Sequence, residues 1–373
     1  MKVAVIGGKL QGTEAVCLSA AAGFESILID ADPKAVASKI ADRFVCGDIV
    51  AGDPQVIEAM KEADFVLPAN ENDRVLAAAE EICRREGLTL AFDMDAYQIT
   101  KSKIRSDKLF HDNGIPAPAY YPAGKPPYII KPSEESGSAG VRCAETAKEV
   151  EEFLASRKDR DKWIVQEYLT GPSYSIEVIG FPGNYRTYSI TQIHMDDVYD
   201  CCRVTVPCPL PPETKEEFAR IGRRLAELVD LRGIMDVEVI DCGGRLKVLE
   251  IDARLPSQTP LAVLCSSGMN FLAELADVFT EGDFQKEQQD EGKFCAYEHY
   301  RRQNGILMQE GEHMMTEARP LEIRRDFAGS KVAVCDYEEG RDSFRGIFIN
   351  WADSEEDLQR IRKELKESLK LLP

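Results

Sequence analysis

The sequence predicts a chain of mixed α/β and α+β architecture: an open α/β domain at the N-terminus, a central α+β part and a small α+β part at the C-terminus. Three observations predict it. Residues 2–30 read as strand, glycine-containing turn, helix and strand, the βαβ pattern of a parallel sheet. Residues 163–259 carry short strand patterns in succession and end in a hairpin about Gly243-Gly244, as an antiparallel sheet does. Residues 354–369 place Leu358, Ile361, Leu365 and Leu369 on one helical face, after several short strands.

In chain order, a buried strand over 2–6 leads into Gly7-Gly8-Lys9-Leu10-Gln11-Gly12 and a helix through 22; a second strand ends in Asp30. The glycines do not follow G-x-G-x-x-G, so a first loop facing some ligand other than a dinucleotide is the preferred reading. Strands over 43–46 and 65–68 follow. The polar loop 69–73 leaves the latter at its C-terminal end, where open α/β sheets bind ligands. After a helix over 76–86, residues 95–113 read as one polar-faced helix with Lys101, Lys103, Arg105 and Lys108, ended by Gly114-Ile-Pro-Ala-Pro. Residues 128–132 form a short strand in which Lys131 interrupts an apolar run, costly unless the charge is paired. The amides and hydroxyls of the Ser/Gly-rich loop 133–140 suit phosphate. A helix over 145–156, strands over 163–169, 173–180, 187–193 and 203–206, a polar loop over 194–200 and helices over 211–229 and 270–279 complete the reading.

The hairpin carries the chemistry. Alternate residues of a strand share a face, so Asp236 and Glu238 share one face of the first strand, and Glu250 and Asp252 one face of the second. Val237, Val239, Leu249 and Ile251 take the apolar side. Four carboxylates among β-branched residues repel one another unless a cation sits between them, and oxygen-only ligands suit a hard cation such as Mg2+. Arg254 follows, two residues on, placed for a phosphate oxygen. A two-residue loop would turn Glu238 and Glu250 to opposite faces; a loop of odd length, which Gly243-Gly244 permits, puts all four on one. The bland alternative is a surface hairpin with its acids in solvent.

Composition narrows the partners. The net charge of −19 and the unclustered basic residues argue against nucleic acid, whose phosphates need a basic surface. The eleven cysteines lack Cys-x-x-Cys spacing and no signal peptide precedes Val3, which reads as reduced thiols in a cytoplasm. No apolar run reaches membrane-spanning length. The oligomeric state is left open, a homodimer being the candidate assembly.

The order of parts resembles the ATP-grasp carboxylate–amine ligases over nearly the whole chain: a lysine before Gly-Ile-Pro-x-Pro, a strand lysine with a Ser/Gly loop, Gln-Glu-Tyr-Leu-x-Gly, then Glu-x-Asp-x-Arg on a hairpin. That resemblance implies the ATP-grasp fold, with a pre-ATP-grasp domain over 1–98, an ATP-grasp domain over 99–280 whose flap spans about 115–170, and a C-terminal part over 281–373. It implies ATP and Mg2+ as cofactors. By motif, Lys103 and Lys131 would hold phosphates, Ser136, Gly137 and Ser138 belong to the flap, and Gln166, Glu167 and Leu169 frame adenine and ribose. Glu238, Glu250 and Asp252 would bind the metal, while Arg254 and Lys131 act on the transferring phosphate. One departure is Pro172-Ser173, where many members carry an acidic ribose ligand.

Within the family, Gly-Gly-Lys-Leu-Gln-Gly, Gly-Ile-Met-Asp-Val-Glu and Asp-Ala-Arg-Leu-Pro-Ser-Gln-Thr-Pro resemble the ligases of pyrrolysine biosynthesis. This implies small-molecule partners, 3-methyl-D-ornithine and L-lysine, and an acidic pocket for their ammonium groups. Ser175, Glu177, His194, Asp196, Asp197, Tyr199 and Asp236 are its candidate residues, with Glu71, Leu10 and Gln11 at a distal substrate end. The rivals are another ATP-grasp ligase or a purine-precursor carboxylase, a nucleotide-binding sensor, and, on Gly7-Gly8 and Asp30 alone, a dehydrogenase.

Overall fold

The computed structural model describes residues 1–134, 140–288 and 292–372. The N-terminal sheet has the order β3-β2-β1-β4, with β1 (Lys2–Ile6), β2 (Glu25–Asp30), β3 (Arg43–Cys46) and β4 (Phe65–Pro68) all parallel. Helices α1 (Leu10–Ala22), α2 (Pro54–Lys61) and α3 (Asp73–Glu86) complete this domain. Val3 to Ile6 are buried on both faces, as parallel strands covered by helices require. The strand order reverses between β1 and β4, so the loops after them open a crevice at their C-terminal ends. Asn72 caps α3 by accepting the Arg74 and Val75 amides.

The helix expected over 95–113 is two: α4 (Met94–Thr100) and α5 (Lys103–Asp112). The break has a tertiary cause. The Lys103 amide donates to the Ser133 carbonyl at 2.9 Å and the Ile104 amide to Ser133 Oγ at 3.3 Å, so the first turn of α5 is tied to the segment after Lys131. A three-stranded sheet follows, formed by β5 (Tyr128–Pro132), β6 (Arg142–Ala144) and β7 (Trp163–Glu167), with α6 (Ala147–Ala155) against it.

The remaining strands make one large sheet. They are β8 (Ser173–Phe181), β9 (Asn184–Thr187), β10 (Thr191–Met195), β11 (Cys201–Val206), β12 (Gly233–Asp241), β13 (Leu246–Asp252), β14 (Phe294–Gln303), β15 (Ile306–Gln309), β16 (Glu322–Phe327), β17 (Ser330–Cys335) and β18 (Phe344–Ala352). The main path runs β13-β12-β8-β10-β11-β14-β18-β17-β16. Helices α7 (Pro212–Leu228), α8 (Thr259–Ser267), α9 (Phe271–Ala276) and α10 (Glu355–Leu371) cover it. The sheet does not stop at residue 280: β11 pairs with β14, joining the C-terminal strands to the central ones. The strand expected over 187–193 is split into β9 and β10. Between them, residues 188–190 leave the strand pattern; the Tyr188 amide still donates to the Glu177 carbonyl at 3.1 Å, and its hydroxyl donates to Glu274 at 2.7 Å. Among the described residues, no single helix is long and apolar enough to cross a membrane.

Behind the sheet, α10 is locked by a buried ion pair. Arg362 donates from Nε to Glu298 Oε2 at 3.0 Å and from Nη2 to Oε1 at 2.7 Å. Burial alone would raise the Glu298 pKa, but the Arg362 contacts reverse this and hold it below the usual carboxylate range. The pair's contribution is therefore present above the unfolded carboxylate pKa and is lost as pH falls through the lower folded value. Arg362→Met is expected to cost about 3 kcal/mol, because it strands a buried carboxylate that, among the described residues, keeps only Tyr300 and Gln309 as bonded partners. A urea melt at neutral pH measures it, and a midpoint like the parent's would show that the pair contributes nothing net.

Candidate active site

The hairpin β12–β13 presents the acidic face, by a route other than the one expected. Its loop has two residues, not an odd number: the Cys242 amide donates to the Arg245 carbonyl at 2.9 Å, and Gly243 and Gly244 take φ of 71° and 85°, as a type I′ turn demands. A bulge between Glu238 and Val239 then shifts the register. Val239 pairs with Val248, while Glu238 pairs with Glu250 and Asp236 with Asp252. Leu249 is the extra residue and is only partly buried; Val248 fills the core place assigned to it. Bulges recur beside active sites because they re-aim side chains in this way.

The acidic face continues onto β8, where Glu177 pairs with Asp236 and Ser175 with Glu238. Directly paired residues share a face. One row therefore reads Asp252, Asp236, Glu177, and the next Glu250, Glu238, Ser175. Arg254 is the hub: Nε lies 2.9 Å from Glu71, Nη1 3.3 Å from Asp236 and Nη2 3.0 Å from Asp252. Lys103 Nζ is 2.6 Å from Glu250. Burial, aided by Glu250 and Asp252, pushes the Glu238 pKa up to about 8. Burial also raises Asp236 and Asp252 against the pull of Arg254, and takes Glu177, with Thr259 and Ser175 beside it, up to about 7.

This donor set fits a hard cation, since all its atoms are carboxylate oxygens and their charges are compressed in a buried face. Among the described residues no three His, Cys, Asp or Glu side chains converge as a ready ligand group; Lys103 takes Glu250, and Arg254 takes Asp236 and Asp252.

Elsewhere, Lys131 and Gln166 lie on one face of the three-stranded sheet, since Lys131 pairs with Ile164 and Ile129 with Gln166. Burial pulls the Lys131 pKa down, while Glu250 and Asp107 pull it up. Gln166 is buried and donates to Asp107 Oδ2 at 2.5 Å. Glu167 accepts the Ala119 amide at 3.0 Å and pairs with Lys247, and Leu169 is partly buried. Ser136, Gly137 and Ser138 lie outside the described residues.

At the other end, a cleft of about 620 Å3 is lined by Leu10, Gln11, Asn70, Glu71, Arg254 and Glu312 among others. Gln11 donates to Glu71 at 2.9 Å, so the N-terminal domain and Arg254 meet through Glu71. A smaller cavity of about 80 Å3 is bounded by Ser175, Asp236, Glu238, Ser257, Gln258 and Glu312.

The substrate candidates expected over 194–199 do not join the acidic face. His194 lies on β10 with its side chain on the opposite face from the acids. Its Nδ1 accepts from Arg203 at 2.8 Å, its Nε2 bonds Thr205 Oγ1 at 2.9 Å, and burial lowers its pKa to about 4. Its neighbour Ile193 faces the small cavity instead. Asp196 accepts the Val198, Asp200 and Gly311 amides and so organises a loop. Asp197 and Tyr199 are exposed, with the Tyr199 hydroxyl beside Tyr168.

Sequence reasoning missed Asp107, Glu312 and Glu14. Asp107 carried a signal, lying four residues after Lys103 on the same helical face. Glu312, which accepts the Ser257 hydroxyl at 2.6 Å, carried none.

Residues 100–258 match the ATP-grasp domain family. The chain is 38% identical to the 3-methyl-D-ornithine–L-lysine ligase of Methanosarcina barkeri over 315 residues, 84% of each chain. It is 36% identical to the ligase of that name from Methanosarcina mazei over 334 residues, 89% of this chain and 87% of the relative. The chain belongs to the ATP-grasp ligase family. As an ATP-grasp ligase it is an enzyme of the ADP-forming carboxylate–amine class. The fold extends beyond such relatives. Biotin carboxylase of Campylobacter jejuni, solved as a β,γ-ATP complex, superposes with a TM-score of 0.74 at 16% identity, over 100% of this chain and 91% of that one. At that identity the likeness is one of fold.

Proposed function

We propose that this ATP-grasp ligase joins the carboxylate of 3-methyl-D-ornithine, or of D-ornithine, to the ε-amine of L-lysine, in pyrrolysine biosynthesis. The observation that carries the reading is the continuous acidic face, on which Asp236 and Glu177 extend the hairpin's carboxylates away from Lys103. One end suits a phosphate-bound cation. The other suits the ammonium groups of a diamino acid, because a desolvated cation needs a paired anion. The similarity to the methanosarcinal ligases over most of both chains supports the same substrates.

Glu238, Glu250 and Asp252 are the proposed Mg2+ ligands. When bound, the ion would supply charge neutralisation at the phosphates. Lys103, Lys131 and Arg254 hold the phosphate oxygens and offset the charge that develops during transfer, which is mainly a matter of positioning. Ser136, Gly137 and Ser138, outside the described residues, are assigned to the flap by the family resemblance alone; Gln166, Glu167 and Leu169 frame the base and sugar. Ser175, Glu177 and Asp236 recognise the first amino acid, and Leu10, Gln11 and Glu71 the second. The amino-acid carboxylate takes the γ-phosphoryl group, and the amine then displaces phosphate from the acyl phosphate, so the products are amide, ADP and phosphate. Excluding water protects that intermediate.

Glu177→Gln is expected to raise the ornithine KM about tenfold or more while moving the ATP KM little, since it removes a contact remote from the phosphates. Equal changes in both constants would remove Glu177 from substrate recognition. The activity itself is tested by incubating enzyme and Mg-ATP with lysine, D-ornithine and its 3-methyl form, with omissions, following phosphate and product mass. A coupled mass only when both amino acids are present supports the reading. No coupled product, with turnover on a purine precursor instead, overturns it.

A further inference from the structure

The segment joining the acidic hairpin to α8 holds an unusual backbone. Gln258 has φ 73° and ψ −56°, and the Thr259 amide donates to the Ser257 carbonyl at 2.9 Å. This is a γ-turn with a positive central φ, a strained form, at a residue other than glycine. It lies where Arg254, Ser257 and Gln258 all border the small acidic cavity. Gln258 is 4% exposed, and its side-chain Oε1 has no hydrogen-bond partner among the described residues, whereas its backbone carbonyl does.

What holds the turn comes from the other end of the chain. Glu14, on α1 and 1% exposed, accepts the Gln258 amide at 3.0 Å on Oε1 and the Leu261 amide at 3.2 Å on Oε2. Every donor at the start of α8 is then accounted for: Thr259 closes the γ-turn, Pro260 has no N–H, Leu261 goes to Glu14, and Ala262 donates to the Gln258 carbonyl at 3.1 Å. A carboxylate from the N-terminal domain thus caps a helix of the central part, and in doing so bonds the Gln258 amide within the turn and the Leu261 amide just after it, where Ser257 and Gln258 border the cavity. Strained residues persist where the surroundings over-determine them, and here the two Glu14 bonds supply that constraint.

We infer that Glu14 is a positioning residue for amino-acid binding: it holds the Gln258 turn in its strained form and fixes the α1 side of the substrate cleft to the acidic face. The inference rests on the proposed ligase reading for its kinetic arm only. A glutamine at 14 keeps size and shape but faces one of the two amides with an N–H, so one buried donor loses its acceptor.

The experiment compares the parent, Glu14→Gln, Gln258→Gly and the double variant. Glycine adopts positive φ without strain, so the turn no longer needs Glu14 when Gly stands at 258. Glu14→Gln is expected to raise the ornithine KM about tenfold with the ATP KM within about twofold, and this factor should shrink to under about twofold in the Gln258→Gly background. Hydrogen exchange of the peptide covering residues 257–262 should quicken in Glu14→Gln alone, a readout that needs no substrate. Equal loss in both backgrounds, a parallel change in the ATP KM, or unchanged exchange in Glu14→Gln overturns the inference. If Glu14→Gln does not fold, recovery of folded protein in the double variant supports the tie, and failure there overturns it. A parent enzyme that couples no amino acids defeats the ligase reading, while the exchange measurement still decides the role of Glu14.

Discussion

Glu250→Gln is expected to lose Mg2+-dependent turnover by on the order of 10^3-fold, about 4 kcal/mol of transition-state stabilisation. Glu250 is the residue on which the proposed cation site and the proposed phosphate site meet: it pairs with Glu238 across the bulged hairpin and lies 2.6 Å from Lys103. An amide oxygen in its place binds a hard cation weakly, and the same change releases Lys103 from its carboxylate. The fold should survive, because Glu250 also helps to raise the pKa of Glu238 and its neutralisation relieves that crowding. Initial rates across a Mg2+ titration, beside a thermal melt, measure both effects. Turnover like the parent's would remove Glu250 from the metal assignment, and a collapsed melting transition would make it a structural acid instead.

Lys131→Met is expected to weaken ATP binding and to lower phosphoryl transfer by on the order of 10^2–10^3-fold, the size of one well-placed charge-assisted contact to a developing anion. Methionine fills a similar volume, so the substitution tests the charge more than the packing. The lysine is 8% exposed on β5, between Asp107 and Glu250. A buried ammonium whose charge is favoured by two nearby carboxylates has two readings: a phosphate ligand, or the counterion that lets Asp107 and Glu250 stay in the interior. Calorimetry with ATP separates them. Unchanged nucleotide affinity with lowered stability would make Lys131 the counterion, and lost affinity with a retained fold makes it the phosphate lysine.

Much of this arrangement was legible before any coordinates, because it is local. The alternation of acids and β-branched residues over 236–239 and 250–252 is a property of a strand's period, and Lys131 stands out because an apolar run leaves a charge nowhere to go. The βαβ unit and its glycine turn follow from short-range pattern in the same way. Register was not legible. The hairpin turn has the two residues that would have turned Glu238 and Glu250 apart, and the bulge that reunites them sits where β12 also pairs with β8. A bulge's place depends on what packs against both faces, which one hairpin's sequence does not contain. The face taken by His194 was illegible for the same reason: its parity on β10 is set by the pairing with β8 and β11, with a further register shift just after it.

By itself, then, the sequence determined most strands and helices, which hairpin faces are acidic, and where the two lysines of the proposed phosphate site fall, since each of these depends on neighbours a few residues apart. Only the tertiary structure decided that Arg254 meets Glu71, that Glu312 reaches Ser257, and that Glu14 caps a helix whose bonded amide lies 247 residues away. Those contacts join segments whose separation leaves no periodic trace. They form because a buried carboxylate or guanidinium must find a partner wherever the packed core brings one within reach.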